Sequence, residues 1–230
     1  PSNGYRAATD PVFLAASVSA SSGQSVLDVG SGVGVASLCL GARVSNLRLY
    51  GIELQREYFL MSEHNAIENN INLKVVNANL NDLPADFRQK SFDHVMTNPP
   101  YFVTKTLSEP IAQGKSTANI ENMSLNDWIF FSLKRLKSGG SFSIIHLTER
   151  LPDVLSSLSV YCGSISIKPI TSRKSQPAKR IIVQGIKGSK GPMKLLEPFV
   201  VHDGDIHNSD KSDYSKSANN ILRFGHPLDL

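Results

Sequence analysis

The chain has 230 residues and a formal net charge of +4, and hydrophobic residues make up 40% of it. This composition can fill the core of one globular domain and excludes a disordered tail, a collagen-like rod and a disulfide scaffold. No apolar run reaches the roughly 18 residues that a membrane-spanning helix needs. The two cysteines, Cys39 and Cys162, match no metal-binding spacing, which predicts two buried thiols in a cytoplasmic protein.

Helix-like and strand-like segments alternate along the first 150 residues. The patterns predict helices at 11–20, 35–44, 55–69 and 125–136, and strands at 25–29, 48–52, 73–76, 92–97 and 141–147. Asp10, which precedes Pro11, is expected to cap the first helix. The alternation indicates an α/β fold with a mostly parallel sheet, which carries helices on both faces and binds ligands at the carboxyl ends of its strands.

Two polar segments, 102–123 and 172–179, lack a regular pattern and are predicted to be loops. We expect residues 1–230 to form a single domain. Within it, residues 1–150 are expected to form the catalytic core. Residues 151–230 are expected to extend the sheet with a basic face and a C-terminal tail.

The first strand leads into a glycine-rich loop, and a helix follows. Gly30, Gly32 and Gly34 allow a sharp turn and a close approach of the backbone to a ligand. Glu53 ends the second strand, where a carboxylate can accept hydrogen bonds from both hydroxyls of a ribose. The spacing differs from the G-x-G-x-x-G fingerprint of pyrophosphate-binding loops. We therefore predict a nucleoside ligand with a cationic or zwitterionic end close to Asp28.

The fourth strand ends in a second motif, Asn98-Pro99-Pro100-Tyr101. Proline cannot donate a backbone hydrogen bond, so the two prolines end the strand and stiffen the turn. The side-chain oxygen of Asn98 and the carbonyl oxygen of Pro99 can accept hydrogen bonds from one NH2 group and direct its lone pair at a methyl donor. Tyr101 offers an aromatic face on which a planar base or amide can stack.

Together the two motifs resemble those of class I S-adenosylmethionine-dependent methyltransferases. The resemblance implies a Rossmann-like, seven-stranded, mostly parallel sheet with an antiparallel last strand. It implies S-adenosylmethionine as methyl donor and S-adenosylhomocysteine as product. It also implies that Glu53 holds the ribose and that Asn79 replaces the acid often found beside the cofactor adenine. The other implied cofactor contacts are Asp28, Gly30, Ser31, Gly32, Gly34, Leu54 and Asn98.

The Asn98–Tyr101 tetrapeptide resembles that of methyltransferases that act on amino groups. These enzymes methylate adenine, the exocyclic amine of guanine or the side-chain amide of a protein glutamine. The tetrapeptide does not distinguish these substrates. A cofactor-binding protein that binds RNA without turnover is a further alternative.

Residues 154–196 contain eight Lys and Arg residues and no Asp or Glu. The rest of the chain contains sixteen basic and twenty acidic residues, so its charge is −4. A separate basic block indicates a binding site for a polyanion such as a nucleic acid. The chain has no room for a separate DNA-recognition domain, so a structured RNA loop with partly unstacked bases is the expected substrate.

A closer resemblance is to the bacterial adenine-N6-methyltransferases of valine tRNA. It rests on residues 4–6, 9–11, 14–16, 34–40, 51–55, 98–101, 177–180, 202–203 and 221–223. The resemblance implies methylation of the 6-amino group of an adenine beside the anticodon. The residues expected to contact the tRNA are Tyr5, Arg6, Lys105, Arg173, Lys174, Lys179 and Arg180.

Two further features are given no functional role. The His and Asp residues of segment 202–207 match no metal-ligand spacing, so we expect a turn there and no bound metal. Trp128 lies at core-like spacing on a predicted helix and is expected to pack in the core. The expected protein is a monomer that binds tRNA and no membrane.

Overall fold

The computed structural model describes residues 9–101, 123–204 and 213–230. Within these residues one sheet contains nine strands: β1 Ser25–Val29, β2 Arg48–Glu53, β3 Leu73–Asn77, β4 Phe92–Thr97, β5 Leu136–Leu147, β6 Cys162–Thr171, β7 Arg180–Lys187, β8 Lys194–Leu195 and β9 Phe199–Val200. The order is β3-β2-β1-β4-β5-β7-β6-β8, and β9 also pairs with β6.

The strands from β3 to β5 pair in parallel, and β7 runs antiparallel to both β5 and β6. These seven strands confirm the predicted mostly parallel sheet with an antiparallel last strand. The two-residue strands β8 and β9 both pair in parallel with β6 and were not predicted.

Helices cover both faces of the sheet. In the described residues they are α1 Thr9–Ser17, α2 Val35–Arg43, α3 Arg56–Glu68, α4 Ala85–Arg88, α5 Leu125–Lys134, α6 Leu151–Leu158 and α7 Lys216–Phe224, with a 3-10 turn at Thr148–Arg150. One apolar cluster packs α1, α2 and α7 on one face, and a second packs α5 and α6 on the other. In the described part of the chain, no helix is long and apolar enough to cross a membrane.

The fifth strand begins five residues earlier than predicted. Leu136 pairs with Phe92, and the register shifts before the regular ladder starts at Ser141. At Gly140 a Cβ atom would lie 2.7 Å from the carbonyl oxygen of Asp93, so glycine permits the close approach of the two strands. Gly139 and Gly140 are therefore part of β5. The predicted loop 172–179 is confirmed between β6 and β7, whereas residues 102–122 lie outside the described part of the chain.

The strand register brings the two sequence motifs together. Val29 at the end of β1 pairs with Ile52 of β2 on one side and with Thr97 of β4 on the other. The glycine loop and the Asn98–Tyr101 motif therefore leave the sheet side by side. Arg180, which begins β7, pairs with Leu147 at the end of β5 and lies at the same edge. This carboxyl edge of the sheet is the place to search for a site.

Candidate active site

A cavity of about 270 Å³ opens at the carboxyl edge of the sheet. It is lined by segments that follow β1, β2, β3 and β4 and by α5. The predicted site residues that line it are Gly30, Gly32, Glu53, Leu54, Asn79, Asn98, Pro99, Pro100 and Tyr101. The structure thus brings most of the predicted cofactor and catalytic residues to one cavity.

The glycine loop is tied to β2 and shaped by its glycines. The backbone N–H groups of Gly30 and Ser31 donate to the carbonyl oxygen of Ile52 at 2.9 and 3.0 Å. Gly30 has a φ of 71°, and a Cβ atom there would lie 2.7 Å from the Trp128 ring. Both the backbone conformation and the close contact therefore require glycine at this position.

Glu53 connects β2 to the glycine loop through its carboxylate. Its Oε2 accepts a hydrogen bond from the backbone N–H of Gly32 at 2.8 Å, and its Oε1 accepts one from Gln55 at 2.7 Å. The side chain is buried, and this burial raises its pKa although the backbone donors oppose the shift. Each carboxylate oxygen has a second acceptor position. Glu53 can therefore hold the loop and still accept hydrogen bonds from two hydroxyl groups in the cavity.

Three predicted cofactor residues do not line the cavity: Asp28, Ser31 and Gly34. Asp28 is buried and accepts a hydrogen bond from Ser37 of α2 at 2.9 Å. Burial raises its pKa to about 7. Ser31 packs against Gly51, where a Cβ atom would lie 2.8 Å from the serine hydroxyl. These residues contact neighbouring parts of the protein and do not line the cavity. Contact of Asp28 with the charged end of a ligand stays a prediction.

Asn79 lines the cavity at the position where the family often has an acid. Its Oδ1 accepts a hydrogen bond from the backbone N–H of Asn81 at 2.9 Å, which forms a local turn. An amide oxygen has a second acceptor position, and the amide nitrogen has two donors. Asn79 can therefore offer either an acceptor or a donor to a purine.

Asn98 has a buried side-chain oxygen at the start of the tetrapeptide. Its Oδ1 is buried and has no hydrogen-bond partner among the residues that the structure describes. A buried acceptor without a partner costs about 1–3 kcal/mol. The oxygen belongs to a cavity-lining side chain that follows β4, and Pro99 next to it is buried. A hydrogen-bond donor such as an NH2 group, bound at this side chain, would supply the partner that the oxygen lacks among the described residues.

Tyr101 is held by contacts on several sides. Its hydroxyl donates a hydrogen bond to Oδ2 of Asp10 and accepts one from Nε of Arg180 at 3.1 Å. Burial, together with the hydrogen bond to Asp10, raises the pKa of Tyr101, so the hydroxyl keeps its proton. The His146 ring packs against the tyrosine ring in a T-shaped arrangement, with 5.3 Å between centroids and 71° between the planes. The expected capping role of Asp10 is wrong, because it lies in the first turn of α1 and binds Tyr101 instead.

Sequence reasoning missed several residues of the site. Trp128 packs in the core as predicted, but it also lines the cavity. Tyr58 and Met123 line it as well. Nothing in the local pattern distinguishes these three residues from core residues. Asp10 was visible in the sequence, but its partners lie 91 and 170 positions away along the chain.

The structure divides the basic block between two edges of the sheet. Lys187 ends β7 at the edge opposite the cavity and donates to the carbonyl oxygens of Leu133 and Leu136, both at 2.7 Å. Its role is therefore to bind the end of α5. Lys190, which follows it, is exposed near the same edge. Only part of the +8 block is therefore available beside the cavity.

Four predicted tRNA-binding residues lie at the carboxyl edge, in the β6–β7 loop and at the start of β7. Arg173 is mostly buried and forms an ion pair with Asp213. Arg180 forms an ion pair with Asp10 at 2.9 Å. Both guanidinium groups thus have partners within the protein, and contact of either group with tRNA phosphates stays a prediction. The side chains of Lys174 and Lys179 are exposed.

The remaining predictions concern three further substrate residues and the segment that begins at His202. Tyr5, Arg6 and Lys105, the other predicted substrate contacts, lie outside the described residues. His202 binds Asp213 at 2.7 Å and stacks on Tyr214. Within residues 9–101, 123–204 and 213–230, no group of three or more His, Cys, Asp and Glu side chains could hold a metal ion.

Two solved structures of named methyltransferases have the same fold. A predicted O-methyltransferase from Agrobacterium tumefaciens superposes with a TM-score of 0.75 at 19% identity, over 96% of this chain and 99% of that chain. An S-adenosylmethionine-dependent O-methyltransferase from Thermotoga maritima gives a TM-score of 0.58 at 15% identity, over 82% and 68% of the two chains. The fold is therefore that of the Rossmann-like class I methyltransferases.

Curated relatives share more of the sequence. The tRNA1(Val) (adenine(37)-N6)-methyltransferase of Actinobacillus pleuropneumoniae serotype 7 is 26% identical over 86% of this chain and 82% of its own length. The protein of the same name from Trichodesmium erythraeum is 25% identical over 76% and 75%. The family model of the methyltransferase small domain matches residues 9–156, which include every cavity residue named above. The chain therefore belongs to the methyltransferase small domain family.

Proposed function

We propose that this enzyme transfers a methyl group from S-adenosylmethionine to the 6-amino group of an adenine in the anticodon loop of a tRNA, with a valine tRNA as the expected substrate. The observation that carries the proposal is the buried Oδ1 of Asn98, a cavity-lining residue, which has no hydrogen-bond partner among the described residues. The names of the curated relatives support the choice of tRNA and of adenine. We also propose that residues 1–230 act as one domain and as a cytoplasmic monomer.

The cavity contains the groups that the cofactor needs. Glu53 can accept hydrogen bonds from the ribose hydroxyls of the cofactor. Gly30 and Gly32 have no side chains, so the cofactor can lie close to the backbone of the glycine loop. Asn79 can bind its adenine edge. When bound, S-adenosylmethionine supplies an electrophilic methyl group. The fit of the residues to this cofactor rests on the buried Glu53 carboxylate and on the glycines that line the cavity.

Asn98 and Pro99 are the proposed catalytic acceptors. The Oδ1 of Asn98 and the carbonyl oxygen of Pro99 each accept one hydrogen of the substrate amine, and Pro100 stiffens the turn that presents them. This arrangement fixes the amine and directs its lone pair, so catalysis depends on positioning and needs no charged base. Tyr101 supplies an aromatic face for the base that has left its stack.

Exposed lysines beside the cavity support RNA as the substrate. Lys174 and Lys179 lie in the loop that joins β6 to β7, at the carboxyl edge that also holds Asn98. Phosphate contacts by lysine supply affinity that does not depend on sequence. Methylation of a glutamine amide in a protein would not require these positive charges, so the observation favours the nucleic-acid substrate.

The test uses the full chain with S-adenosylmethionine labelled in its methyl group. Bulk tRNA and a release-factor-like protein are offered in parallel, and the RNA is then digested to nucleosides. We expect the label in N6-methyladenosine. Label in the protein fraction, or in methylated guanosine, would contradict the proposal and favour one of the other amino-group substrates. Cofactor binding without any transfer would favour a non-catalytic RNA-binding protein.

A further inference from the structure

Three charged or polar side chains from distant parts of the chain meet at the tyrosine of the tetrapeptide. Asp10 comes from α1, Tyr101 follows β4, and Arg180 begins β7. Oδ2 of Asp10 accepts a hydrogen bond from the Tyr101 hydroxyl and one from Nε of Arg180 at 2.9 Å. Nε of Arg180 also lies 3.1 Å from the Tyr101 hydroxyl oxygen. The three groups therefore form a closed triangle of hydrogen bonds.

The guanidinium of Arg180 also lies over the tyrosine ring. Its central carbon is 4.7 Å from the Tyr101 ring centroid, a distance at which a cation is attracted to an aromatic face. The side chains of Arg180 and Asp10 are only 30% and 17% exposed. Burial works against the charged form of Arg180, but the contacts with Asp10 and Tyr101 outweigh it and raise its pKa. The pair is thus charged and partly shielded from water.

These contacts leave Tyr101 with little freedom. Arg180 lies over the ring, the His146 ring packs against it at a steep angle, and the hydroxyl is bound to Asp10. The ring nevertheless lines the cavity beside Asn98. The hydrogen bonds and the cation therefore fix the plane of the Tyr101 ring, against which a base in the cavity would stack.

We propose that Asp10 and Arg180 are positioning residues, which fix the plane of the Tyr101 ring so that a substrate base stacks with its amino group at Asn98. The inference rests on the proposed function, because it takes a stacked base as the substrate. In this inference Arg180 positions Tyr101 and does not bind the phosphate groups of the RNA. It also gives the first helix a role in catalysis.

The two roles of Arg180 predict different measurements. A phosphate contact contributes to RNA affinity in a salt-dependent way, so its loss lowers the slope of log K against log salt by about 0.7–0.9. A positioning contact acts on the geometry of the bound base, and a small misplacement of reacting groups costs up to about a hundredfold in rate. The turnover number at saturating RNA and the salt slope therefore separate the two roles.

The experiment compares Arg180→Met, Arg180→Lys, Asp10→Asn and Tyr101→Phe in the full chain. We expect Arg180→Met to lower kcat about tenfold to hundredfold at saturating tRNA, with the salt slope of tRNA binding unchanged. Arg180→Lys should also lose activity, because lysine has a methylene group where the Nε–H of Arg180 binds both Asp10 and the tyrosine hydroxyl. Melting temperature and cofactor affinity, measured for every variant, should stay close to wild type.

A double-mutant cycle measures whether the effects of two substitutions on kcat depend on each other. A purely structural role of Asp10 would not produce such a dependence. Tyr101→Phe removes the hydroxyl through which Asp10 acts, so Asp10→Asn should have little further effect on kcat in that background. Full additivity of the two substitutions would overturn the inference. So would an Arg180→Met variant with normal kcat and a lower salt slope. If Arg180→Met does not fold, Arg180→Lys decides, since a phosphate-binding role predicts nearly normal kcat for it.

Failure of this inference is distinguishable from failure of the proposed function. If the wild-type enzyme methylates no adenosine in tRNA, the proposed function is wrong. If the wild-type enzyme is active and the variants keep its kcat, only the role of Asp10 and Arg180 is wrong.

Discussion

Trp128 donates a hydrogen bond from its indole Nε1 to Oγ1 of Thr97 at 2.8 Å. Thr97, the last residue of β4, donates in turn to the carbonyl oxygen of Val29 at 2.7 Å. This chain of hydrogen bonds connects α5 to the ends of β4 and β1, where the Asn98–Tyr101 motif and the glycine loop begin. The indole ring also lies against Gly30. One residue of α5 therefore helps to set the distance between the two motifs.

The contact between Gly30 and Trp128 leads to a prediction about stability. Gly30→Ala places a Cβ atom 2.7 Å from the indole ring at a φ of 71°. We expect it to lower the free energy of unfolding by roughly 2–4 kcal/mol, because strain and overpacking add. Gly32→Ala is the matched control, since its φ is 55° and nothing lies within 4 Å of the added Cβ. It should cost only about 1–2 kcal/mol. If urea unfolding showed the same loss of unfolding free energy for Gly30→Ala and Gly32→Ala, the steric contact with Trp128 would not be the cause.

Much of the fold and of the site could be predicted because the signals are local. The strand at 25–29, the glycines that follow it and the proline stop after residue 97 each depend on neighbours in sequence. The parallel order then fixes which strand ends meet, since β1 lies between β2 and β4. Gly30, Glu53 and Asn98 were found in this way.

What could not be predicted depends on contacts between distant segments. The partners of Asp10 and the cavity-facing position of Trp128 follow from packing, which no local pattern encodes. The charge count of residues 154–196 was correct as arithmetic, but it did not reveal that Arg173 and Lys187 have partners inside the protein. A basic block in the sequence therefore overstates the positive surface that the fold presents.

Glu53→Gln should weaken cofactor binding. Both carboxylate oxygens accept hydrogen bonds from backbone N–H groups, so the NH2 of a glutamine must face one of these donors. We expect about a tenfold loss of S-adenosylhomocysteine affinity by calorimetry, which corresponds to a disturbed hydrogen bond to a charged group. Glu57→Gln in the exposed first turn of α3 is the control and should bind normally. Unchanged affinity in Glu53→Gln would remove Glu53 from the cofactor site.

Lys174→Met and Lys179→Met should weaken tRNA binding without altering the chemical step. Each lost phosphate contact is expected to reduce the slope of log K against log salt by about 0.7–0.9, as titrations at several salt concentrations would measure. Lys190→Met is the control, because Lys190 is equally exposed but follows the end of β7 away from the cavity. An equal change in all three variants would indicate nonspecific attraction rather than a binding face.

The burial of Asp28 predicts a pH dependence of stability. Burial, with repulsion from Glu53 as a further cause, raises the pKa of this carboxyl from its ordinary value of 3.8 to about 7, so the folded protein keeps the proton up to about that pH. Over that range the unfolded chain holds fewer protons, so the contribution of Asp28 to stability is lost as pH rises. Asp28→Asn should therefore gain roughly 2–4 kcal/mol relative to wild type between acid and neutral pH. The free energy of unfolding of both proteins is measured in urea at several pH values. The same pH dependence in the two proteins would contradict the prediction.

Asn98→Ala tests the centre of the proposed mechanism. The substitution removes the buried acceptor that has no partner among the described residues, while Pro99 and the turn remain. We expect kcat for methyl transfer to tRNA to fall by about a hundredfold or more, since the amine loses the group that directs its lone pair. S-adenosylhomocysteine affinity and the melting temperature should change little. Asn126→Ala, on the exposed surface of α5, is the matched control and should retain wild-type turnover. An Asn98→Ala enzyme with near-normal turnover would show that the amine is positioned by other groups.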